Sequence, residues 1–162
     1  MKKPWVRWAA VGALMGIAGW RLWVVFSAGE GISEKAWYYD ESARRLFVAA
    51  RGLVPPIRGI DGPELDGVRA VVVAPPGRCN EAALRRIAYL ETSAPELKRV
   101  LEEAKASGRA PTISRGAAQG LRLVRREGDA QWVSLLTPEG EALVGGWAVP
   151  GPDGETPAVC SP

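Results

Sequence analysis

The run Val68-Arg69-Ala70-Val71-Val72-Val73-Ala74 constrains the chain more than any other segment. Four valines in seven residues, with no strict polar alternation, describe a strand buried on both faces rather than a surface strand. Pro75, Pro76 and Gly77 stop it at once, because proline cannot continue a hydrogen-bonded ladder. A strand of this kind needs partners on both sides and cover on both faces. The rest of the sequence is therefore read for what supplies them.

Upstream, Ala36–Asp40 (AWYYD) and Arg45–Ala50 (RLFVAA) read as two strands, and Glu41-Ser42 suits the turn of a hairpin. Neighbouring aromatics on a strand point to opposite faces, so Trp37, Tyr38 and Tyr39 are expected to serve packing at least in part. The prolines of Val54–Ile57 (VPPI) exclude a central strand, and Asp61–Gly67 (DGPELDG) is turn-rich. Its acidic residues Asp61, Glu64 and Asp66 lack the spacing and terminal Glu of a calcium loop.

Downstream, Asn80 is a candidate helix cap, with Leu84, Ile87, Ala88 and Leu90 or Glu91 at helical spacing behind it. Ser93 and Glu96 form a capping-box pattern for a second helix. That helix starts near Pro95, has a stripe of Leu97, Val100, Leu101 and Ala104, and stops at Gly108. Ala110–Gly120 reads as loop. Leu121–Arg126, Trp132–Leu136 and Glu141–Val149 read as strands, with Thr137-Pro138-Glu139-Gly140 as a turn that lets Trp132 and Trp147 pair. The expected body is α+β, a small and mostly antiparallel sheet covered by a helical pair.

The N-terminus has a different character. Between Trp5 and Ala28 only Arg7 and Arg21 are charged. One reading is a cleaved signal peptide, with Lys2, Lys3 and Arg7 as its basic head. The other is a retained transmembrane helix. Trp5, Trp8, Trp20 and Trp23 favour the helix, since indoles concentrate at headgroup level and Trp5 to Trp23 spans about 27 Å at the helical rise. Lys2, Lys3 and Arg7 would stay cytoplasmic, leaving the body periplasmic or extracellular. Gly12, Gly16 and Gly19 give the span a small-residue face suited to another transmembrane subunit. The organisation so read is an anchor over 1–29, a linker over 30–35, an extracytoplasmic domain over 36–149 and a proline-rich tail over 150–162.

Charge and composition exclude several function classes. The chain has 162 residues and a net charge of +3, but Lys2, Lys3, Arg7 and Arg21 precede every acidic residue. Without those four the remainder stands at −1, so no basic face for nucleic acid is expected. Histidine is absent, which removes the commonest proton shuttle and zinc ligand. No nucleophile elbow, phosphate-cradling loop or dinucleotide fingerprint occurs. Neither a cofactor nor a metal is expected.

The two cysteines, Cys79 and Cys160, leave two readings. In an oxidising compartment a pair of this kind commonly bridges, which would pin the tail against the end of the valine strand. Alternatively both are free thiols.

In Pro76-Gly77-Arg78-Cys79, the cysteine holds the position of the second thiol of a CxxC motif at a helix head, and Pro111-Thr112 echoes a cis-proline segment. This faintly resembles a degenerate thioredoxin-like protein, in which Cys79 would be the working thiol; Pro76 replaces its partner. The phrases AWYYD, LFVA, VPPI, GVRAVVV, RIAYLE and LVRREGDAQWVSLLTPEG, in this order over residues 36–162, resemble a membrane-anchored protein family of planctomycete-type bacteria. In that family the strand is followed by CxxC and the tail holds further cysteines, which implies a structural metal site there; here only Cys79 and Cys160 remain. The resemblance implies membrane anchoring and no particular activity. The function expected is therefore that of a non-catalytic accessory or scaffold subunit, with the bilayer and other transmembrane subunits as partners.

Overall fold

The computed structural model describes residues 33–151 and 154–162. The expected membrane helix lies outside these residues, and with it Gly12, Gly16, Gly19, Trp5, Trp8, Trp20 and Trp23. No helix among the described residues is long and apolar enough to cross a membrane.

The valine run is the centre of the molecule. Strand β3 (Gly67–Ala74) lies inside a seven-stranded antiparallel sheet. On one side it pairs with β4 (Arg86–Ser93). On the other, its first three residues pair with β1 (Lys35–Asp40) and its last two with β7 (Ala158–Val159). β1 and β7 thus share one edge of β3. The sheet continues outward from β1 to β2 (Arg45–Ala50), and from β4 to β5 (Arg122–Arg125) and β6 (Val133–Ser134).

Burial follows the sequence argument. Val68, Val72 and Val73 are at most 2% exposed. Each such valine contributes about 1.5–3 kcal/mol relative to an exposed one. Residues opposite one another across a ladder share a face, which sorts the core into two layers. Val68, Ala70, Val72 and Ala74 form one layer with Tyr39, Leu90 and Cys160, closed by Trp37, Ile87 and Trp132. Ala36, Tyr38 and Ile57 form the other with Phe47 and Ala49. Register places Tyr38, Arg69, Glu91 and Val124 in a single cross-strand row on that second face.

The β1–β2 hairpin forms as expected. Its turn is organised by the buried Asp40 carboxylate, which accepts hydrogen bonds from the Ala43 amide at 2.7 Å, the Ser42 hydroxyl at 2.9 Å and the Ile60 amide at 2.5 Å. These donors hold its pKa below the ordinary carboxylate value, the Ala43 bond most strongly. One carboxylate thereby joins the hairpin turn to the loop that leads into β3.

Helix α1 (Pro95–Ser107) has the expected extent, and Leu97 is its buried contact. Pro95 occupies the first turn, where a missing amide costs nothing, and Gly108 ends the helix in the left-handed region at φ 66°. The capping box does not form. The N-cap is Ala94, and Ser93 is the buried end of β4. Lys98 and Lys105 tie the helix to the preceding loop: Lys98 Nζ donates to the carbonyls of Val54 and Pro56 at 2.9 and 2.7 Å, and Lys105 Nζ to that of Gly52 at 3.1 Å.

Several other expectations fail. The helix placed after Asn80 is a single 3-10 turn (Ala82–Leu84), and Ile87, Ala88 and Leu90 belong to β4. The sheet is therefore not covered by the expected helical pair. Instead α1 is joined by two short helices, α2 (Arg115–Gly120) inside the expected loop and α3 (Pro138–Gly146) where a strand was expected. The Thr137–Gly140 turn is the first turn of α3: Thr137 Oγ1 accepts from the Gly140 amide at 3.1 Å, and Pro138 begins the helix. Trp132 and Trp147 consequently do not face each other across a hairpin. Trp147 ends α3, and Trp132 stacks under the Arg125 guanidinium at 4.4 Å. The tail, expected to pack little, supplies β7 and the buried Cys160.

Candidate functional site

Of the residues singled out in the sequence, the structure brings Cys79 and Cys160 together. Pro75, Pro76 and Gly77 turn the chain out of β3, with Gly77 at φ 73°, and deliver Cys79 half-buried beside the sheet. Cys160 follows β7 and donates its amide to the Val72 carbonyl at 2.8 Å. The two sulfurs form a disulfide with a Cα separation of 5.3 Å, bridging 81 residues. Cys160 is 4% exposed and part of the core layer. The reactive surroundings expected for Cys79 are not assembled. A 3-10 turn and a strand follow it instead of a helix, and the cis X-Pro bond among the described residues is Pro55–Pro56 rather than at Pro111.

The sequence reading missed a groove on the second sheet face. Its floor is the polar part of the cross-strand row, Arg69 of β3 and Glu91 of β4, with Arg122 at the start of β5. Leu97 and Leu101 of α1 make one wall, the Leu53–Pro55 loop another, and Arg115 and Ala118 of α2 the rim. The volume is about 450 Å³. The lysine ties to Gly52, Val54 and Pro56 hold the loop wall against α1. The Ser114 hydroxyl caps α2, accepting from the Ala117 amide at 3.3 Å, and fixes the rim.

Charge in the groove is unbalanced. Glu91, 14% exposed, pairs with Arg122 at 3.1 Å. Arg69 lies directly opposite Glu91 in register but forms no ion pair with it. Among the described residues neither Arg69 nor Arg115 makes a side-chain hydrogen bond or ion pair. Tyr89, buried nearby on β4, has its pKa pushed up to about 12, first by burial and then by the Glu91 charge. Three permanently charged guanidiniums, one engaged carboxylate and a phenol that does not ionise near neutrality suit binding of an anion better than proton transfer.

A second, larger depression of about 650 Å³ lies beside α3, where Arg126 is accompanied by Asp129 and Glu139. Its charges are mixed and it has no half-buried cationic floor. Among the described residues no three candidate metal ligands come together. Comparison of the chain with protein-family models, curated proteins and solved structures finds no match.

Proposed function

We propose that this protein is a single-pass, membrane-anchored domain held outside the cytoplasm, where it serves as a non-catalytic accessory or scaffold subunit of a membrane assembly. The observation that carries the reading is the Cys79–Cys160 disulfide, which completes the edge of the central strand. A structural bridge of this kind persists in oxidising compartments and is rare in the cytosol. The tryptophan-flanked apolar stretch from Trp5 to Trp23 and the basic Lys2, Lys3 and Arg7 before it supply an anchor with the matching orientation. Gly12 and Gly16 offer a close-packing face to a second membrane helix.

Alkylation of intact cells followed by fractionation tests this. The expected result is a chain that needs detergent for extraction and gains reactive thiols only after reduction. In mild detergent it migrates with a second transmembrane subunit, and Gly12→Leu combined with Gly16→Leu separates the two. A chain released by salt alone, with both thiols reactive before reduction, overturns the proposal.

A further inference from the structure

We propose that the groove between α1, α2 and the sheet is a binding site for a small amphipathic carboxylate. The ligand's carboxylate would meet Arg69 and its apolar body would lie along Leu53, Leu97 and Leu101. This goes beyond the scaffold reading and does not depend on where the domain is tethered.

Three observations converge. The first is charge: Arg69, Arg115 and Arg122 face one carboxylate, Glu91, and that carboxylate is engaged by Arg122. The second is the state of Arg69. Its guanidinium carries five donors in a rigid fork, yet among the described residues none meets a protein acceptor, although the side chain is half-buried at the groove floor. Open to the groove and free of protein acceptors, those donors are available to a ligand. A bidentate carboxylate satisfies two of them at once. The third is shape. About 450 Å³ lies within the ordinary range for small-molecule sites, and leucines wall it on two sides. A wholly polar anion would leave those walls uncovered.

Glu91 is already paired with Arg122, which leaves Arg69 and Arg115 to meet the ligand's charge. The leucine walls separate a carboxylate with an apolar body from inorganic phosphate, which would leave them uncovered. The same chemistry occurs in a short branched-chain acid and in the free C-terminus of a peptide that ends in leucine. The probes distinguish them.

The test uses the full chain in an uncharged detergent. Binding is measured by saturation-transfer NMR and calorimetry with isocaproate, its neutral amide, inorganic phosphate, and a leucine-terminated tetrapeptide in free-acid and amidated forms. The acid or the free-acid peptide is expected to bind, with affinity about tenfold or more above the matching amide. Arg69→Gln is expected to lower that affinity by a similar factor. Ala118→Phe keeps every charge and fills the groove, so loss of binding in this variant places the ligand there even if Arg69→Gln misfolds. Binding of the peptide alone identifies a chain terminus as the source, and binding of isocaproate alone identifies a small free acid. The proposal is overturned if amides bind as well as acids, if phosphate displaces the acid, if both variants retain full affinity, or if no carboxylate binds in the millimolar range.

Discussion

Replacing Cys79 and Cys160 together by alanine removes a covalent link across 81 residues. For a loop of that length the chain-entropy relation gives ~4.5 kcal/mol at room temperature, a large share of the 5–15 kcal/mol typical of a whole domain. The loss is not spread evenly. β7 contributes only two residues to the ladder, and its hold on β3 otherwise rests on the Cys160 amide bond to Val72. Urea unfolding of the oxidised wild type, the reduced wild type and the double alanine variant measures the effect. With a slope of about 1.5 kcal/mol/M the midpoint should fall by roughly 3 M in both altered forms. Reduced wild type keeps the sulfur atoms in the core, so agreement between the two altered forms assigns the effect to the covalent link rather than to packing. Hydrogen exchange should show the Cys160 amide losing protection first. A midpoint shift below ~0.5 M, equivalent to less than about 1 kcal/mol, would refute the reasoning that the bridge holds the tail in place.

Asp40→Asn should cost roughly 1–3 kcal/mol, since an amide cannot satisfy the converging Ala43, Ser42 and Ile60 donors. The wild type carries this stabilisation above the ordinary carboxylate pKa and loses it as pH falls through the depressed native value, and acid titration of the variant should lack that loss. Gly140→Ala should destabilise by about 1–3 kcal/mol, because an added Cβ would meet the Ser134 carbonyl, whereas Gly145→Ala meets open space in the same helix and should be neutral or stabilising by up to ~1 kcal/mol in thermal unfolding. The chain's three tyrosines all have raised pKa values, Tyr38, Tyr39 and Tyr89 each chiefly through burial. Ultraviolet titration should therefore show less than half of the tyrosinate signal at pH 10 in the folded protein, with Tyr89 contributing least. The stabilisation from keeping the phenols neutral is complete below their unfolded value and is lost as pH climbs through the raised ones; half or more of the tyrosinate signal at pH 10 before unfolding contradicts the burial.

What could be read from the sequence depended on how local its cause was. The valine strand, the hairpin before it and α1 with its Pro95 and Gly108 boundaries carry their signals within their own residues, and they form as expected. β4 misled because a strand paired on both sides buries residues without alternation, so Ile87, Ala88 and Leu90 fit helical spacing equally well. Its register shift opposite Val71 and Val72 disturbs the two-residue period further. At Thr137-Pro138-Glu139-Gly140 the residue types suit both a turn and a helix start, and the close approach of Gly140 to Ser134 depends on tertiary structure. The disulfide was legible as one of two alternatives, because two cysteines in one domain allow a single pairing. The groove was not legible at all. Arg69, Glu91, Arg115 and Arg122 come from four separate elements, and only strand register and the placement of α2 bring them to one surface.

The shared edge of β3 also dictates an order of assembly. The start of that edge is filled by β1, which precedes it in the chain, and the end by β7, which is made long afterwards. The growing chain can close the hairpin and seat β1 early, but the far end of its central strand stays open until residues 158–160 arrive. Contacts so distant in sequence form slowly, and an open strand edge invites mispairing in the interval. Completion of this domain is therefore bound to the delivery of its tail, and premature release from the ribosome before Val159 would leave a product whose central strand lacks a partner along the end of one edge.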